Sequence, residues 1–101
     1  MTKAEKAHIL RTKASPCIVS GSPPPSAAHH TDTGMGRKKD HFKVIPLTYD
    51  LHQGREGIHF LGKKRWEAKY GTEEQHLQRH LANLGIHGGQ DLRSSYVQDE
   101  G

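Results

Sequence analysis

Residues 42–52 have the sequence FKVIPLTYDLH, and its character changes at Pro46. Phe42, Val44 and Ile45 predict a short strand that ends at this proline. Because proline is tolerated in the first turn of a helix, the next residues, 47–52, predict a short helix, which the nearby glycines Gly54 and Gly57 limit. Upstream, AAHH at residues 27–30 predicts another strand, followed by a glycine-containing loop. The order strand, loop, strand, helix indicates the α+β class.

Two further helices are predicted downstream of this unit. Residues 63–70 place Trp66 and Tyr70 one helical turn apart, and Gly71 is a suitable C-cap. The sequence TEEQ at residues 72–75 has capping-box spacing and opens another helix, which Gly85 ends. One face of that helix carries a leucine stripe (Leu77, Leu81 and Leu84). We expect both helices to pack on the outside of the strand-strand-helix unit.

The chain divides into four segments by composition: a basic N-terminal segment at 1–13, a core at 14–71, a C-terminal helix at 72–85 and a polar tail at 86–101 that we expect to be disordered. The formal charge is +3 over 1–13, +4 over 14–71 and −3 over 72–101, which gives the net charge of +4. A basic surface attracts a polyanion such as nucleic acid. Ordinary solubilising charge explains the same numbers equally well.

Composition excludes several classes of protein. With 101 residues, 32% hydrophobic residues and a mean hydropathy of −0.86, the chain can bury only a small core. It has one cysteine, so no disulfide framework is possible. No apolar run approaches the roughly 18 residues of a membrane span, and the first ten residues lead into no apolar signal region. We therefore expect a cytoplasmic protein without a membrane partner, and the nine histidines point to a metal.

Four histidines have an order that suggests a site. Adjacent strand residues face opposite sides, so His29 and His30 can divide the work, one binding a metal and the other acting as a general base. His52 and His59 can complete three imidazole ligands with His29 and leave coordination positions open, which is the pattern of catalytic metal sites. An imidazole-rich shell favours zinc or nickel over calcium. Solvated or half-buried histidines are the alternative interpretation of each position.

The other five histidines give weaker signals. His76 and His80 are four residues apart on the last predicted helix, a spacing that can bind a metal, but no third ligand is evident in the sequence. A solvated helix face is the favoured interpretation of this pair. The remaining three (His8, His41 and His87) have no partner in the sequence, and we expect them at the surface.

Residues 16–71 resemble the HNH (ββα-metal) endonucleases, in particular the small phage and prophage branch that includes recombination-enhancement nucleases. The resemblance rests on the order of AHH at 28–30, GMGRK at 34–38, Asp40, VIPL at 44–47, His52 and GIH at 57–59. It implies a ββα-metal unit with extra C-terminal helices. It also implies a metal-dependent DNA endonuclease, which leaves a 5′-phosphate and a 3′-hydroxyl in a bacterial or phage-infected cell. We expect low sequence selectivity, because the sequence offers basic loops for phosphates but no long recognition helix or ribbon for base edges.

The resemblance assigns roles residue by residue. His29, His52 and His59 match the ligands of one divalent metal ion (zinc, magnesium, manganese or nickel), and His30 matches the general base that activates water. Asp40 matches either a partner that orients His30 or a brace of the loop. The basic residues after the glycine pair (Arg37, Lys38 and Lys39) are placed to contact DNA phosphates.

The sequence also departs from the family pattern. Three of the four cysteines of a structural zinc knuckle are absent, so we predict no structural zinc and interpret Cys17 as a vestige or a packing residue. Lys43 stands near the position of the family's central asparagine. These departures leave an alternative open: a catalytically inactive, DNA-binding or metal-stabilised accessory protein on the same scaffold. A monomer and a homodimer both fit the sequence.

Overall fold

The computed structural model of the protein describes residues 1–31 and 40–86. These two ranges contain seven elements: α1 (Lys3–Lys13), β1 (Ala27–His30), β2 (Val44–Leu47), α2 (Tyr49–His52), α3 (Ile58–Leu61), α4 (Lys63–Tyr70) and α5 (Glu73–Asn83). The two strands form an antiparallel sheet in which His29 pairs with Ile45 and His30 with Val44. The α+β class is confirmed.

The hairpin differs from the sequence prediction at Pro46. This residue was expected to end the strand, yet it lies inside β2, opposite Ala28, and it is fully buried. A proline is tolerated here because each strand of a two-stranded sheet has an unpaired edge. The Pro46 carbonyl accepts a hydrogen bond from the backbone N–H of Ile18 at 2.9 Å. The following helix, α2, consequently begins at Tyr49 rather than at Leu47.

Helices α4 and α5 have the predicted positions. Helix α4 spans the predicted residues, and α5 begins after Thr72, whose hydroxyl accepts from the Gln75 N–H in a capping box. Trp66 and Leu77 are 0% and 2% exposed and belong to the same core as the strand β2. The two helices thus pack on the strand-strand-helix unit through these side chains and cover its apolar face. Cys17 is a buried member of this core, as a packing residue would be.

Helix α1 was not predicted from the sequence, although a capping box marks its start. The Thr2 hydroxyl accepts from the Glu5 N–H at 3.1 Å, and the Glu5 carboxylate accepts from the Thr2 N–H at 2.7 Å. At the other end, the Arg11 guanidinium donates to the Leu84 carbonyl at 3.0 Å. The segment 1–13 is therefore a helix attached to the end of α5.

Several histidines expected at the surface are buried. His8, His76 and His80 are 0%, 3% and 1% exposed, so these expectations were wrong. His80 Nε2 and the Thr12 hydroxyl form a hydrogen bond of 3.0 Å between α5 and α1. The rings of His8 and His80 lie 6.3 Å apart. Neutral imidazoles thus serve as core residues where α1 meets α5. His41 is half-buried, and His87 lies outside the described residues.

The buried pair makes stability dependent on pH. Burial, followed by the charge of Arg11, lowers the pKa of His8 from 6.5 to about 4. Burial, followed by the charge of His8, lowers the pKa of His80 to about 4. Between pH 4 and pH 6.5 the unfolded chain therefore binds more protons than the folded protein. The contribution of the two neutral rings to the free energy of unfolding is complete above pH 6.5 and is lost as the pH falls toward 4.

We expect the metal-free protein to lose roughly 1–2 kcal/mol per buried ring between pH 8 and pH 5. Urea unfolding at the two pH values measures this loss, with His80→Gln as the comparison because glutamine keeps a polar group and does not titrate. In His80→Gln the loss should be smaller by roughly 1–2 kcal/mol, the contribution of one ring. An identical loss in both proteins would contradict the assignment.

Candidate metal centre

Three histidines from three elements converge at one point. His29 lies in β1, His52 is the last residue of α2 and His59 lies in α3. Their ligand atoms all lie within 4.8 Å of one another. His52 Nε2 and His59 Nε2 are 3.2 Å apart, and the three ring centroids are separated by 4.7–5.4 Å. The prediction that His29, His52 and His59 form one cluster is confirmed.

The hydrophobic core positions two of these side chains. His52 directly follows Leu51, and His59 directly follows Ile58; both preceding residues are buried in the core. Gly57 makes the turn between the two helices possible, because a Cβ atom at this residue would lie 2.7 Å from the His52 carbonyl carbon and oxygen. The close approach brings His59 back onto His52. The site is therefore anchored to the core on its inner side.

The spacing of His52 and His59 suits two ligands of one tetrahedral metal ion. Two nitrogens bound at about 2.0–2.1 Å with a tetrahedral angle lie about 3.3 Å apart, close to the 3.2 Å between His52 Nε2 and His59 Nε2. His29 is buried, His52 is half-buried and His59 is exposed, so the cluster opens to solvent on one side. Three histidines can thus hold a metal ion and leave coordination positions for water or substrate.

The surroundings of His52 favour its neutral ring. Burial, and then the charges of His29 and His59, lower the pKa of His52 to about 4. A neutral imidazole has the lone pair that a metal ion requires. His52 is therefore ready to bind a divalent ion at neutral pH without losing a proton.

His30 lies on the opposite face of β1 from His29, as adjacent strand residues must. It is half-buried at the end of the strand, and its Nε2 is 3.1 Å from Nδ1 of His41. The two rings meet edge to face, with centroids 5.1 Å apart. No local sequence pattern couples His30 to His41, because the two residues meet only through the pairing of the strands.

The remaining predicted residues have two different outcomes. Asp40 had two expected roles, and its contact corresponds to the brace: Oδ1 accepts from the Phe42 N–H at 2.9 Å. The predicted phosphate-binding residues Arg37, Lys38 and Lys39 lie outside the described residues.

No family model, curated protein or solved structure matches the chain. What the site can do is therefore argued from its own residues. Across the described ranges, no helix is long and apolar enough to cross a membrane.

One residue of the site was missed by sequence reasoning. Glu73, the first residue of α5, is 5% exposed and its Oε2 lies 3.2 Å from His29 Nε2. In the sequence it is one of two acidic residues in the first turn of a helix, where acids are common. Only the packing of α5 against the hairpin distinguishes it from Glu74.

Proposed function

We propose that this protein is a metal-dependent DNA endonuclease that uses one histidine-bound divalent metal ion and a histidine general base. The observation that carries the proposal is the three-histidine cluster, open on one side, with a further histidine next in sequence to the buried ligand. The order of these residues is the one that resembles the HNH endonucleases.

The proposed chemistry divides between the two faces of β1. His30 accepts a proton from the attacking water, whose oxygen forms a bond to phosphorus while the bond from phosphorus to the 3′ oxygen breaks. The metal ion, held by His29, His52 and His59, would act as a Lewis acid that stabilises the negative charge on the phosphate and the leaving oxygen. His41 orients the His30 ring through their 3.1 Å contact. The leaving 3′ oxygen takes a proton from solvent water and His30 releases its proton to solvent, so the products are a 5′-phosphate and a 3′-hydroxyl.

The surface around the cluster supports a nucleic-acid substrate. Phe60 follows the ligand His59 and is 70% exposed, and Tyr49, one turn before His52, has the same exposure. Exposed aromatic rings stack on nucleic-acid bases. Three consecutive cationic side chains at the start of α4 are also exposed (Lys63, Lys64 and Arg65). These groups complement the phosphates and bases of a strand bound at the open side of the cluster.

A plasmid-nicking assay tests the proposal. The protein is stripped with EDTA, dialysed, and supplied separately with Mg²⁺, Mn²⁺, Ni²⁺ or Zn²⁺ before incubation with supercoiled DNA. We expect conversion to the open circle with at least one metal and none with EDTA. End labelling should find a 5′-phosphate at the nick. A protein that binds metal but gives no nick with any of the four ions would contradict the proposal.

The second candidate is a metal-stabilised accessory protein that binds DNA without cutting it. The observation in its favour is that the cluster ties β1 to α2 and α3 in a protein with a small core, which is a structural use of a metal. The two candidates differ in the nicking assay and in DNA binding measured by fluorescence anisotropy. Binding with metal-dependent thermal stability and no nicking would favour the accessory protein.

A further inference from the structure

Glu73, the first residue of α5, has a buried carboxylate that contacts His29 of the histidine cluster. The Glu73 side chain is 7% exposed, and its Oε2 lies 3.2 Å from Nε2 of the equally buried His29. Its other oxygen, Oε1, is 4.0 Å from Lys63 Nζ, on a side chain that is 64% exposed. A carboxylate oxygen without a proton can only accept, so the contact with His29 requires the proton on Nε2 of the ring.

Burial of this carboxylate calls for compensation. Removing a carboxylate from water is costly unless charge or hydrogen bonds compensate it. Lys63, which is 4.0 Å away, is mostly solvated, and Glu67 Oε2 accepts from the Glu73 backbone N–H at 2.8 Å. The nearest polar partner of the Glu73 carboxylate is thus the ring of His29, at 3.2 Å.

Glu73 is placed outside the set of metal ligands. Within the part of the chain that the structure describes, the group whose ligand atoms all lie within 4.8 Å consists of the three histidines and does not extend to this carboxylate. Its contact is with the ring of His29. In metal sites, a ligand histidine commonly donates its other N–H to a carboxylate, which fixes the tautomer and orientation of the ring and raises its basicity.

We propose that Glu73 is a positioning residue of the metal centre: it accepts the Nε2–H of His29 and so keeps the lone pair for the metal on Nδ1. The inference rests on the metal site of the proposed function, but not on DNA cleavage. It also makes α5 part of the centre, since β1, α2 and α3 supply the ligands while α5 supplies the group that orients one of them.

Cobalt binding by the purified full chain tests the inference. Co²⁺ is titrated into EDTA-stripped protein and followed by its visible absorption, for the wild type, Glu73→Gln and Glu74→Gln. Glu74 is the matched control because it is the neighbouring acid of the same helix turn and is exposed. We expect Glu73→Gln to bind Co²⁺ about 10–100-fold more weakly, and Glu74→Gln to bind within about twofold of the wild type.

Further measurements separate this role from a merely structural one. The melting temperature of each metal-free protein reports folding, and Glu73→Asp, which keeps the charge, should recover part of the affinity if Glu73→Gln folds poorly. Nitrogen-15 NMR of the metal-free wild type should find the His29 proton on Nε2, and Glu73→Ala should reduce that preference.

Three results would overturn the inference. The first is equal Co²⁺ affinity of wild type and Glu73→Gln. The second is a changed position or intensity of the Co²⁺ bands in saturated Glu73→Gln, which would make Glu73 a direct ligand. The third is a wild type that binds no Co²⁺. Absence of nicking by a metal-loaded wild type would contradict the endonuclease proposal alone and leave the role of Glu73 standing.

Discussion

Replacement of His30 by alanine is expected to lower the rate of plasmid nicking by about 10²–10⁴-fold, the usual contribution of a positioned general base. The change removes the imidazole that accepts the proton of the attacking water. It should leave metal binding intact, because the ring of His30 faces away from His29 and contacts His41 instead. The measurement is the initial rate of nicking by protein saturated with the ion that gives the highest wild-type rate.

Two comparisons make this result specific. Co²⁺ affinity and melting temperature of His30→Ala should match those of the wild type, which separates lost chemistry from lost structure. Gln78→Ala is the control for an alanine substitution away from the site, since Gln78 is exposed on α5 and bonded to Glu74. Nicking at the wild-type rate by His30→Ala would remove the general-base role and favour the accessory protein.

Helices α4 and α5 were predicted well because capping residues at their termini mark where they end or begin. The C-cap at Gly71 marks the end of α4, and the capping box that begins at Thr72 marks the start of α5. A similar box at Thr2 and Glu5 marks the start of α1, which the charge of this segment alone does not predict. Local hydrogen bonds at helix ends are sufficient to locate such elements.

The histidine cluster was predicted by the order of its members, whereas the partners of those histidines were not. His29 contacts Glu73, which is 44 residues away in the sequence, and His30 contacts His41, which is 11 residues away. No local pattern encodes such distances, because they depend on how α5 and the strand connection pack against the hairpin. The burial of His8 and His80 has the same origin: their rings are covered only once α1 lies against α5.

The largest effect on metal binding is expected from His52→Ala or His59→Ala. Each change removes one of three ligands and leaves two imidazoles, which hold a divalent ion far more weakly. For the wild type, Zn²⁺ at 100 times its dissociation constant adds about 2.7 kcal/mol to the free energy of unfolding. At about 4–8 °C per kcal/mol for a domain of this size, that is a rise in melting temperature of roughly 10–20 °C.

In both ligand variants this rise should fall to about zero at the same Zn²⁺ concentration. His41→Ala is the matched control, since it also removes an imidazole that is not fully exposed, and this imidazole contacts His30 rather than the three ligands. It should keep the full rise. Thermal unfolding followed by circular dichroism, with and without Zn²⁺, measures all four proteins. A full rise in His52→Ala would mean that the ion binds elsewhere in the chain, and the metal centre proposed for His29, His52 and His59 would then be wrong.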